Sequence, residues 1–262
     1  MNILNAIVAN KKKEIAKRKK MRPLASFVKT LGASDRNFHR ALKKGRNDAN
    51  PRLIAEIKKA SPSEGILRPC LETDFPEIVA VYNRYASAIS VVTDERFFQG
   101  HLEWIKKIRA LTNLPILCKD FIIDEYQIYE ARNYGADSIL LIASPHCVDE
   151  KKLTEFVKIA GSLGMSSLVE IHNEKEIKTA LNAGAEIIGI NNRNLETFDV
   201  SLEITLALAP LVPPECVIVS ESGFKTSEEI KKMHGLADAV LIGTTFMKAK
   251  NIASACAKLF HC

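Results

Sequence analysis

The sequence predicts an α/β fold, a (β/α)8 TIM barrel preceded by an N-terminal helical extension. Two observations support this class. Eight short apolar runs alternate with amphipathic stretches from about residue 51 onward, and apolar runs between helices are typical of parallel strands covered on both faces. Eight strand–helix units in about 200 residues also fit this barrel. We therefore assign residues 1–50 to a helical extension packed on the barrel, and residues 51–262 to a single barrel domain.

The extension begins with apolar residues at helical spacing, which predict an amphipathic helix from Asn2 to about Lys19. A short turn and a polar piece over residues 37–44 follow. The basic runs at residues 11–13 and 17–20 favour a solvated face on a docked helix. A nucleic-acid-binding arm is the alternative, and salt-dependent retention on a polyanion would identify it.

The barrel region is predicted to alternate strands and helices. The strands are Leu53–Ile57, Ala88–Thr93, Pro115–Cys118, Ser138–Ile142, Ser167–Ile171, Ile187–Ile190, Val217–Ser220 and Ala239–Ile242. The helices are Phe75–Tyr85, Leu102–Leu111, Glu125–Tyr134, Glu150–Leu163, Glu174–Ala183, Leu202–Leu208, Ser227–His234 and Phe246–Leu259. A doubly wound open sheet is the structural alternative, but it normally shows fewer units and a glycine fingerprint after its first strand. Here Ser61-Pro62-Ser63 follows the first strand.

Composition excludes several classes of protein. The chain has 262 residues, 47% of them hydrophobic, and a formal net charge of +6. The six cysteines form no C-x-x-C pair and the six histidines show no ligand spacing, so we expect no metal site. Scattered cysteines, a charged start and no apolar run of membrane length predict a cytoplasmic protein. We expect a monomer, with a weak dimer as the alternative, and no nucleic-acid or membrane partner.

Polar residues gather where the predicted strands end, which is where barrels of this class place their active sites. Burying unpaired ions there costs several kcal/mol each, so their convergence favours a site whose acid and base groups tune each other's pKa values. For the first pair alone, an ordinary surface ion pair is the alternative. The residues are Glu56, Lys58, Lys119, Glu170, Asn191 and Glu221.

The last two strands predict a phosphate site. Ser222-Gly223 and Gly243-Thr244 follow strands 7 and 8, the usual position for phosphate in this fold, where backbone N–H groups face the ligand. Arg193 follows strand 6 and can reach the same point as a bidentate partner. Plain tight turns are the alternative interpretation of these small residues.

Apolar residues are also predicted at the mouth. Beside the charged groups they suggest a pocket for a planar apolar group next to the phosphate, whereas core or lid packing is the alternative. They are Pro62, Phe98, Phe121 and Leu195.

Six segments, in this order, closely resemble the indole-3-glycerol-phosphate synthase family over essentially the whole chain. They are IAEIKKASPS (54–63), LCKDFIID (117–124), LVEIH (168–172), IGINNRNL (188–195), VSESG (219–223) and LIGT (241–244). The resemblance implies conversion of 1-(2-carboxyphenylamino)-1-deoxyribulose 5-phosphate to indole-3-glycerol phosphate, carbon dioxide and water in tryptophan biosynthesis. It also implies a barrel with a helical extension, a small phosphorylated substrate, and no metal or organic cofactor.

The resemblance also implies roles for individual residues. Lys119 is the general acid of ring closure, Glu170 takes part in the later proton transfer and dehydration, and Lys58 holds the carboxylate or phosphate side of the substrate. Which lysine donates which proton stays open. Glu56, Asn191 and Glu221 form the polar network around the ribulose hydroxyls. The implied phosphate cradle is Ser61, Arg193, Ser222, Gly223, Gly243 and Thr244, and the implied ring wall is Pro62, Phe98, Phe121 and Leu195.

Some features depart from the family pattern or stay unassigned. Glu64 stands where a lysine is common, and His101 where a small hydroxyl residue is usual, which bears on loop behaviour and affinity. His172 receives no role. Phosphoribosylanthranilate isomerase is the nearest rival, but it uses a cysteine on strand 1, where this chain has Glu56 and Lys58. A catalytically silent barrel is a rival of another class.

Overall fold

Eight parallel strands close into a barrel in the computed structural model, which describes residues 3–44, 50–194 and 197–260. Each strand pairs with the next along the chain, and the last pairs with the first. The TIM-barrel prediction is confirmed. The strands are β1 (Arg52–Ile57), β2 (Ala88–Val92), β3 (Ile116–Lys119), β4 (Ser138–Ile142), β5 (Ser166–Ile171), β6 (Ile187–Asn191), β7 (Val217–Glu221) and β8 (Ala239–Ile242).

Helices precede the barrel and surround it. They are α1 (Ile3–Met21), α2 (Phe38–Leu42), α3 (Phe75–Tyr85), α4 (Glu95–Phe98), α5 (Glu103–Arg109), α6 (Glu125–Asn133), α7 (Glu150–Ser162), α8 (Glu174–Asn182), α9 (Glu203–Leu208), α10 (Ser227–Lys231), α11 (Thr244–Lys248) and α12 (Ile252–Phe260). Short 3-10 turns lie at Leu24–Ser26, Val28–Thr30 and Ala209–Leu211. Within the described residues, no helix is both long and apolar enough to cross a membrane.

The prediction of one helix over Phe246–Leu259 was wrong, because the chain forms two helices there. Ala249 is extended, with φ −71° and ψ 133°, and ends α11. Asn251 then accepts a hydrogen bond through Oδ1 from the N–H of Ser254 at 2.8 Å. An Asn side chain in this position satisfies a free N–H at the start of a helix, so α12 begins anew.

Two short elements were not predicted. Residues Ala60–Ser61 and Gly65–Ile66 pair as a small antiparallel hairpin directly after β1. Residues 95–98 form α4, where the Asp94 carboxylate accepts the N–H of Phe97 at 2.8 Å. Neither element is long enough to produce a clear hydrophobic period, so the local pattern carries little signal.

The barrel interior is closed at the N-terminal end of the strands. Phe38 and Leu42 of α2 are fully buried against residues at strand starts, including Ala88, Val217 and Ala239. A second, larger core lies between the strands and the surrounding helices. With its lower end filled, the barrel leaves room for a cavity only toward the C-terminal ends of the strands.

The first helix docks on the barrel near α6. Arg18 Nη1 lies 2.7 Å from Glu130 Oε2, and Ile15 packs with Phe27 and Tyr126. The predicted solvated basic face is wrong at one position, because the side chain of Lys11 is only 1% exposed. Other lysines of the same helix are exposed as expected, namely Lys12, Lys13, Lys17 and Lys20.

Candidate active site

A cavity of about 650 Å³ opens at the C-terminal ends of the strands. Every predicted site residue that the structure describes lines this cavity. Leu195 lies outside the described residues. The remaining fifteen are Glu56, Lys58, Ser61, Pro62, Phe98, Lys119, Phe121, Glu170, Asn191, Arg193, Glu221, Ser222, Gly223, Gly243 and Thr244.

Lys119, the last residue of β3, lies between two carboxylates. Its Nζ is 3.3 Å from Glu170 Oε2 at the end of β5 and 3.3 Å from Glu221 Oε2 at the end of β7. Burial disfavours the ammonium, but Glu221 and Glu170 outweigh it and raise the pKa of Lys119 above its usual range. The lysine is therefore charged, and it is held in the barrel interior by its two neighbours.

The two carboxylates that hold Lys119 differ in charge preference. Burial raises the pKa of Glu221 to about 7, and the negative charge of Glu170 adds to the shift while Lys119 opposes it. Burial acts on Glu170 in the same direction, but Lys119 and His172 overcome it and lower its pKa. Paired acids whose pKa values move apart are typical of acid–base sites.

His172, which received no role from the sequence, supports Glu170 from behind. Its Nε2 is 3.4 Å from Glu170 Oε1, and its Nδ1 is 3.2 Å from Glu176 Oε2. Burial favours the neutral ring, but the two glutamates raise the pKa of His172 to about 10. The imidazolium thus adds to the effect of Lys119 in lowering the pKa of Glu170.

A second ion pair lies beside the first. Lys58 Nζ is 2.8 Å from Glu56 Oε1, which agrees with the prediction that two residues at this spacing share a face. Although burial favours the neutral acid, Lys58 and Lys119 lower the pKa of Glu56. Two glycines lie against buried acids of the site. A Cβ at Gly243 would clash with Glu56 and one at Gly189 with Glu221, so both positions require glycine.

The ends of β6 and β7 are tied together by side-chain hydrogen bonds. Asn191 Oδ1 accepts from the Ser222 hydroxyl and from the N–H of Arg193, both at 3.0 Å. Asn192 donates to the Ser220 hydroxyl at 2.9 Å and to the carbonyl of Ser222 at 3.1 Å. This network holds Ser222, which was predicted to bind phosphate, against Asn191 at the end of β6.

The predicted phosphate residues meet at one side of the cavity. Ser222 and Gly223 both have positive φ, 69° and 97°, and α11 begins at Thr244 directly after Gly243. Arg193 Nη1 donates to the carbonyl of Phe198 at 3.1 Å, which steers the guanidinium along this side. Turns of this kind expose backbone N–H groups to an anion.

An aromatic pair lies on the other side of the cavity. The rings of Phe98 and Phe121 are half-buried, with centroids 6.0 Å apart and planes inclined by 40°. Pro62 is exposed on the hairpin loop after β1. The cavity therefore offers an apolar surface opposite a cationic, hydrogen-bonding one.

A family model described as indole-3-glycerol phosphate synthase matches residues 4–259. The chain belongs to this family. The resemblance drawn from the six motifs is thereby confirmed, and with it membership in a family of carbon–carbon lyases of tryptophan biosynthesis.

Individual relatives agree with the family assignment. The chain is 44% identical over 265 residues to the indole-3-glycerol phosphate synthase of Polaromonas naphthalenivorans (strain CJ2), covering 99% of this chain and 98% of that protein. It is 43% identical over 257 residues to the tryptophan biosynthesis protein TrpCF of Vibrio cholerae serotype O1, covering 98% of this chain and 53% of that protein. The chain thus spans about half the length of the TrpCF relative.

Solved structures show the same fold at low identity. KGPDC from Streptococcus mutans superimposes with a TM-score of 0.62 at 16% identity, covering 80% of this chain and 95% of that chain. At this identity the likeness extends to the barrel alone.

Sequence reasoning missed several residues that line the synthase-family cavity. Lys225 and Lys232 add positive charge to its lining, and Phe198, Val200 and Leu202 add apolar area. Val200 and Leu202 lie next to Gly223. Three apolar residues of α1 also line the cavity, namely Ile3, Leu4 and Ile7. Their helical spacing was visible in the sequence, but nothing there indicates that α1 reaches the C-terminal end of the barrel.

The two departures from the family pattern have local explanations. Glu64 Oε2 lies 2.5 Å from Lys248 Nζ, so the hairpin loop after β1 contacts the end of α11. His101 Nδ1 accepts the N–H of Glu103 at 3.1 Å at the start of α5. Glu64 lines the cavity, whereas His101 is exposed and is not among the lining residues.

Proposed function

We propose that this chain carries out the indole-3-glycerol-phosphate synthase reaction of its family in the cavity at the C-terminal ends of the strands. The observation that carries the proposal is the position of Lys119, whose ammonium lies 3.3 Å from both Glu170 and Glu221. The substrate is 1-(2-carboxyphenylamino)-1-deoxyribulose 5-phosphate, and the products are indole-3-glycerol phosphate, carbon dioxide and water.

Lys119 acts in ring closure. As the carboxylate-bearing ring carbon attacks the ribulose carbonyl, negative charge develops on the carbonyl oxygen. An ammonium in a pocket of low dielectric stabilises that charge and supplies the proton. The bond to the carboxylate then breaks, carbon dioxide leaves, and the electron pair returns to the ring. No external electron sink is needed, so we propose that the reaction uses neither a metal nor an organic cofactor.

Glu170 acts in dehydration. The hydroxyl formed from the carbonyl leaves as water once an acid protonates it, and the neighbouring carbon loses a proton to restore the indole. Glu170 is kept ionised by Lys119 and His172, which suits a proton acceptor. Glu56, Asn191 and Glu221 orient the ribulose hydroxyls, and Lys58 holds the carboxylate or phosphate side.

Binding uses the two opposite sides of the cavity. The phosphate is held by six residues on the cationic side, and the anthranilate ring lies against Phe98, Phe121 and Pro62. The six are Ser61, Arg193, Ser222, Gly223, Gly243 and Thr244. A dianion on one side and a planar ring on the other fix the substrate at two ends, which is how positioning lowers a barrier.

We also propose a cytoplasmic, monomeric protein. The five cysteines in the described part of the chain are all free thiols, which suits a reducing compartment. The exposed large apolar residues of that part, including Met21, Leu111 and Leu211, belong to separate segments. Light scattering on the purified chain tests the oligomeric state.

Indole fluorescence during turnover tests the proposed reaction. The purified chain is mixed with the substrate in buffer containing a chelator, beside Lys119→Ala and Glu170→Gln. We expect an indole signal from the unaltered chain alone. Binding without turnover by the unaltered chain would instead support a catalytically silent barrel, and no binding at all would contradict the phosphate site.

A further inference from the structure

Lys11 of α1 is a buried cation outside the cavity lining. Its Nζ lies 2.8 Å from Asp94 Oδ2, 2.9 Å from Asp120 Oδ1 and 2.9 Å from Glu14 Oε2. Its side chain is 1% exposed, and those of Asp94 and Asp120 are 0% and 5% exposed. Three charges taken out of water in this way are costly unless each is paired, and these groups come from three separate parts of the chain.

Asp94 fixes the segment that carries Phe98. Its Oδ1 accepts the N–H of Phe97 at 2.8 Å, and its own carbonyl accepts the N–H of Gly100 at 2.7 Å. These two bonds close the single turn of α4 on both sides of Phe98. A shift of the Asp94 carboxylate would therefore move this ring.

Asp120 fixes the segment that carries Phe121. Its Oδ1 accepts the N–H of Phe121 at 2.7 Å, and its Oδ2 accepts the Thr93 hydroxyl at 2.8 Å. Thr93 directly precedes Asp94, so the two aspartates are also joined through the end of β2. The loops that present the aromatic pair are thus built on two carboxylates that share one cation.

Removing that cation would leave two buried carboxylates facing each other. Like charges in a shared buried site cannot both remain ionised in place, so they separate or one takes up a proton. Either response displaces a segment that presents Phe98 or Phe121. Helix α1, which carries Lys11, also contributes Ile3, Leu4 and Ile7 to the cavity. Lys11 therefore connects the docking of this helix to the position of the aromatic pair.

We propose that Lys11 is a positioning residue for recognition of the aromatic part of the substrate, acting through Asp94 and Asp120 on the Phe98–Phe121 pair. The inference rests on the proposed function, because that function supplies the anthranilate ring. It assigns Lys11 no contact with substrate and no proton transfer.

Two probe ligands distinguish binding of the aromatic ring from binding of the phosphate. The Kd of each is measured by calorimetric titration. Indole-3-glycerol phosphate carries a ring and a phosphate, whereas inorganic phosphate carries only the latter. In Lys11→Met we expect the Kd for indole-3-glycerol phosphate to rise at least tenfold and the Kd for phosphate to change less than twofold. In turnover we expect KM to rise at least tenfold while kcat falls less than threefold.

Matched variants exclude a general effect on α1. Lys12→Met removes a neighbouring exposed charge and should leave the Kd for indole-3-glycerol phosphate and the Kd for phosphate unchanged. Arg18→Met breaks the pair with Glu130 that docks the same helix on α6, and should change the Kd for indole-3-glycerol phosphate less than threefold. If Arg18→Met weakens ring binding as much as Lys11→Met, the effect is helix docking and the proposal is wrong.

A rescue variant keeps the test decisive if Lys11→Met folds poorly. Lys11→Met with Asp94→Asn removes one negative charge with the cation and keeps the Oδ1 acceptor for Phe97. We expect the Kd of this double variant for indole-3-glycerol phosphate to be at least threefold lower than that of Lys11→Met. Unchanged ring binding in a folded Lys11→Met, or no recovery in a folded double variant, overturns the inference. Failure of the unaltered chain to bind either probe would instead overturn the proposed function.

Discussion

The two ends of the barrel both bury carboxylates, but they satisfy them differently. At the lower end Asp137, which is 0% exposed, accepts the N–H of Ile116 at 2.9 Å and the Ser34 hydroxyl at 2.7 Å, and it pairs with Arg109 and Arg132. Both of its oxygens are therefore fully used, by partners that cannot give up or move a proton at neutral pH.

At the mouth the acids are held instead by lysines and a histidine. Glu221 contacts Lys119 through one oxygen, while no hydrogen-bond donor among the described residues reaches its other oxygen, Oε1. Buried polar atoms are almost always satisfied in a resting structure. Both ends bury carboxylates, so burial alone does not mark a functional acid. An acid with titratable partners and unused hydrogen-bonding capacity, facing a cavity, does.

Lys119→Met should show the largest difference between an acid site at the mouth of the barrel and a buried acid at its lower end. Loss of a general acid typically costs 10² to 10⁴ in rate, so we expect kcat to fall by about 10³ or more. The free energy of unfolding should fall by less than the roughly 3 to 5 kcal/mol typical of breaking a buried ion pair, because Glu221, whose pKa burial already raises to about 7, can take up a proton when the ammonium is lost. Stopped-flow indole fluorescence and urea unfolding measure the two quantities. If the variant lost stability in proportion to activity, the proposed difference between the mouth of the barrel and its lower end would be wrong.

Asp137→Ala should show the opposite pattern. Removing one partner of a buried ion pair typically costs 3 to 5 kcal/mol, and here Arg109 and Arg132 lose their shared acceptor. We expect the free energy of unfolding to fall by about 3 kcal/mol or more. The folded fraction, measured by circular dichroism, should keep its kcat within about threefold, since this acid lies at the far end of the barrel.

His172→Gln should give a pH-dependent effect of intermediate size. The pKa of His172 is raised from 6.5 to about 10, so its stabilisation is fully present below pH 6.5 and is lost as pH rises through 10. We expect the variant to be less stable by about 2 kcal/mol at pH 6, and the deficit to shrink toward pH 10. Urea unfolding over this range measures it.

The same variant should change the pH profile of activity. Without the imidazolium, Glu170 loses one of the charges that lower its pKa, so the acid limb of kcat should move to higher pH. His146→Gln is the control, because His146 is an exposed residue outside the cavity lining. An unchanged acid limb in His172→Gln would mean that Lys119 alone keeps Glu170 ionised.

Glu64→Gln should have the smallest effect. Its pair with Lys248 is exposed, and such pairs contribute about 0.2 to 1 kcal/mol. We expect stability to change by less than about 1 kcal/mol, with any effect on turnover confined to low salt because exposed pairs are screened. Turnover measured at two salt concentrations checks this. Lys248→Gln should behave in the same way, and a large effect of only one variant would contradict the pair.

Much of the fold could be predicted because its signals are local. The runs at Ser138–Ile142 and Ala239–Ile242 form strands with the predicted ends, and Phe75–Tyr85 forms the predicted helix. Apolar residues covered on both faces leave a short continuous run in the sequence. The split of α11 from α12 was missed because the apolar spacing continues across the break, while the extended Ala249 and the Asn251 cap are small signals.

The sequence by itself determined the barrel, the position of a polar mouth at its strand ends and the family, because these depend on period, order and motif. Only the tertiary structure decided which charges are buried and with whom. Lys11 lies in a run of lysines and reads as solvated, yet it meets Asp94 and Asp120 from distant segments. His172 and Glu170 likewise receive their charges from partners placed around them. Charge state depends on burial and on neighbours within a few ångströms, and closure of the barrel sets both.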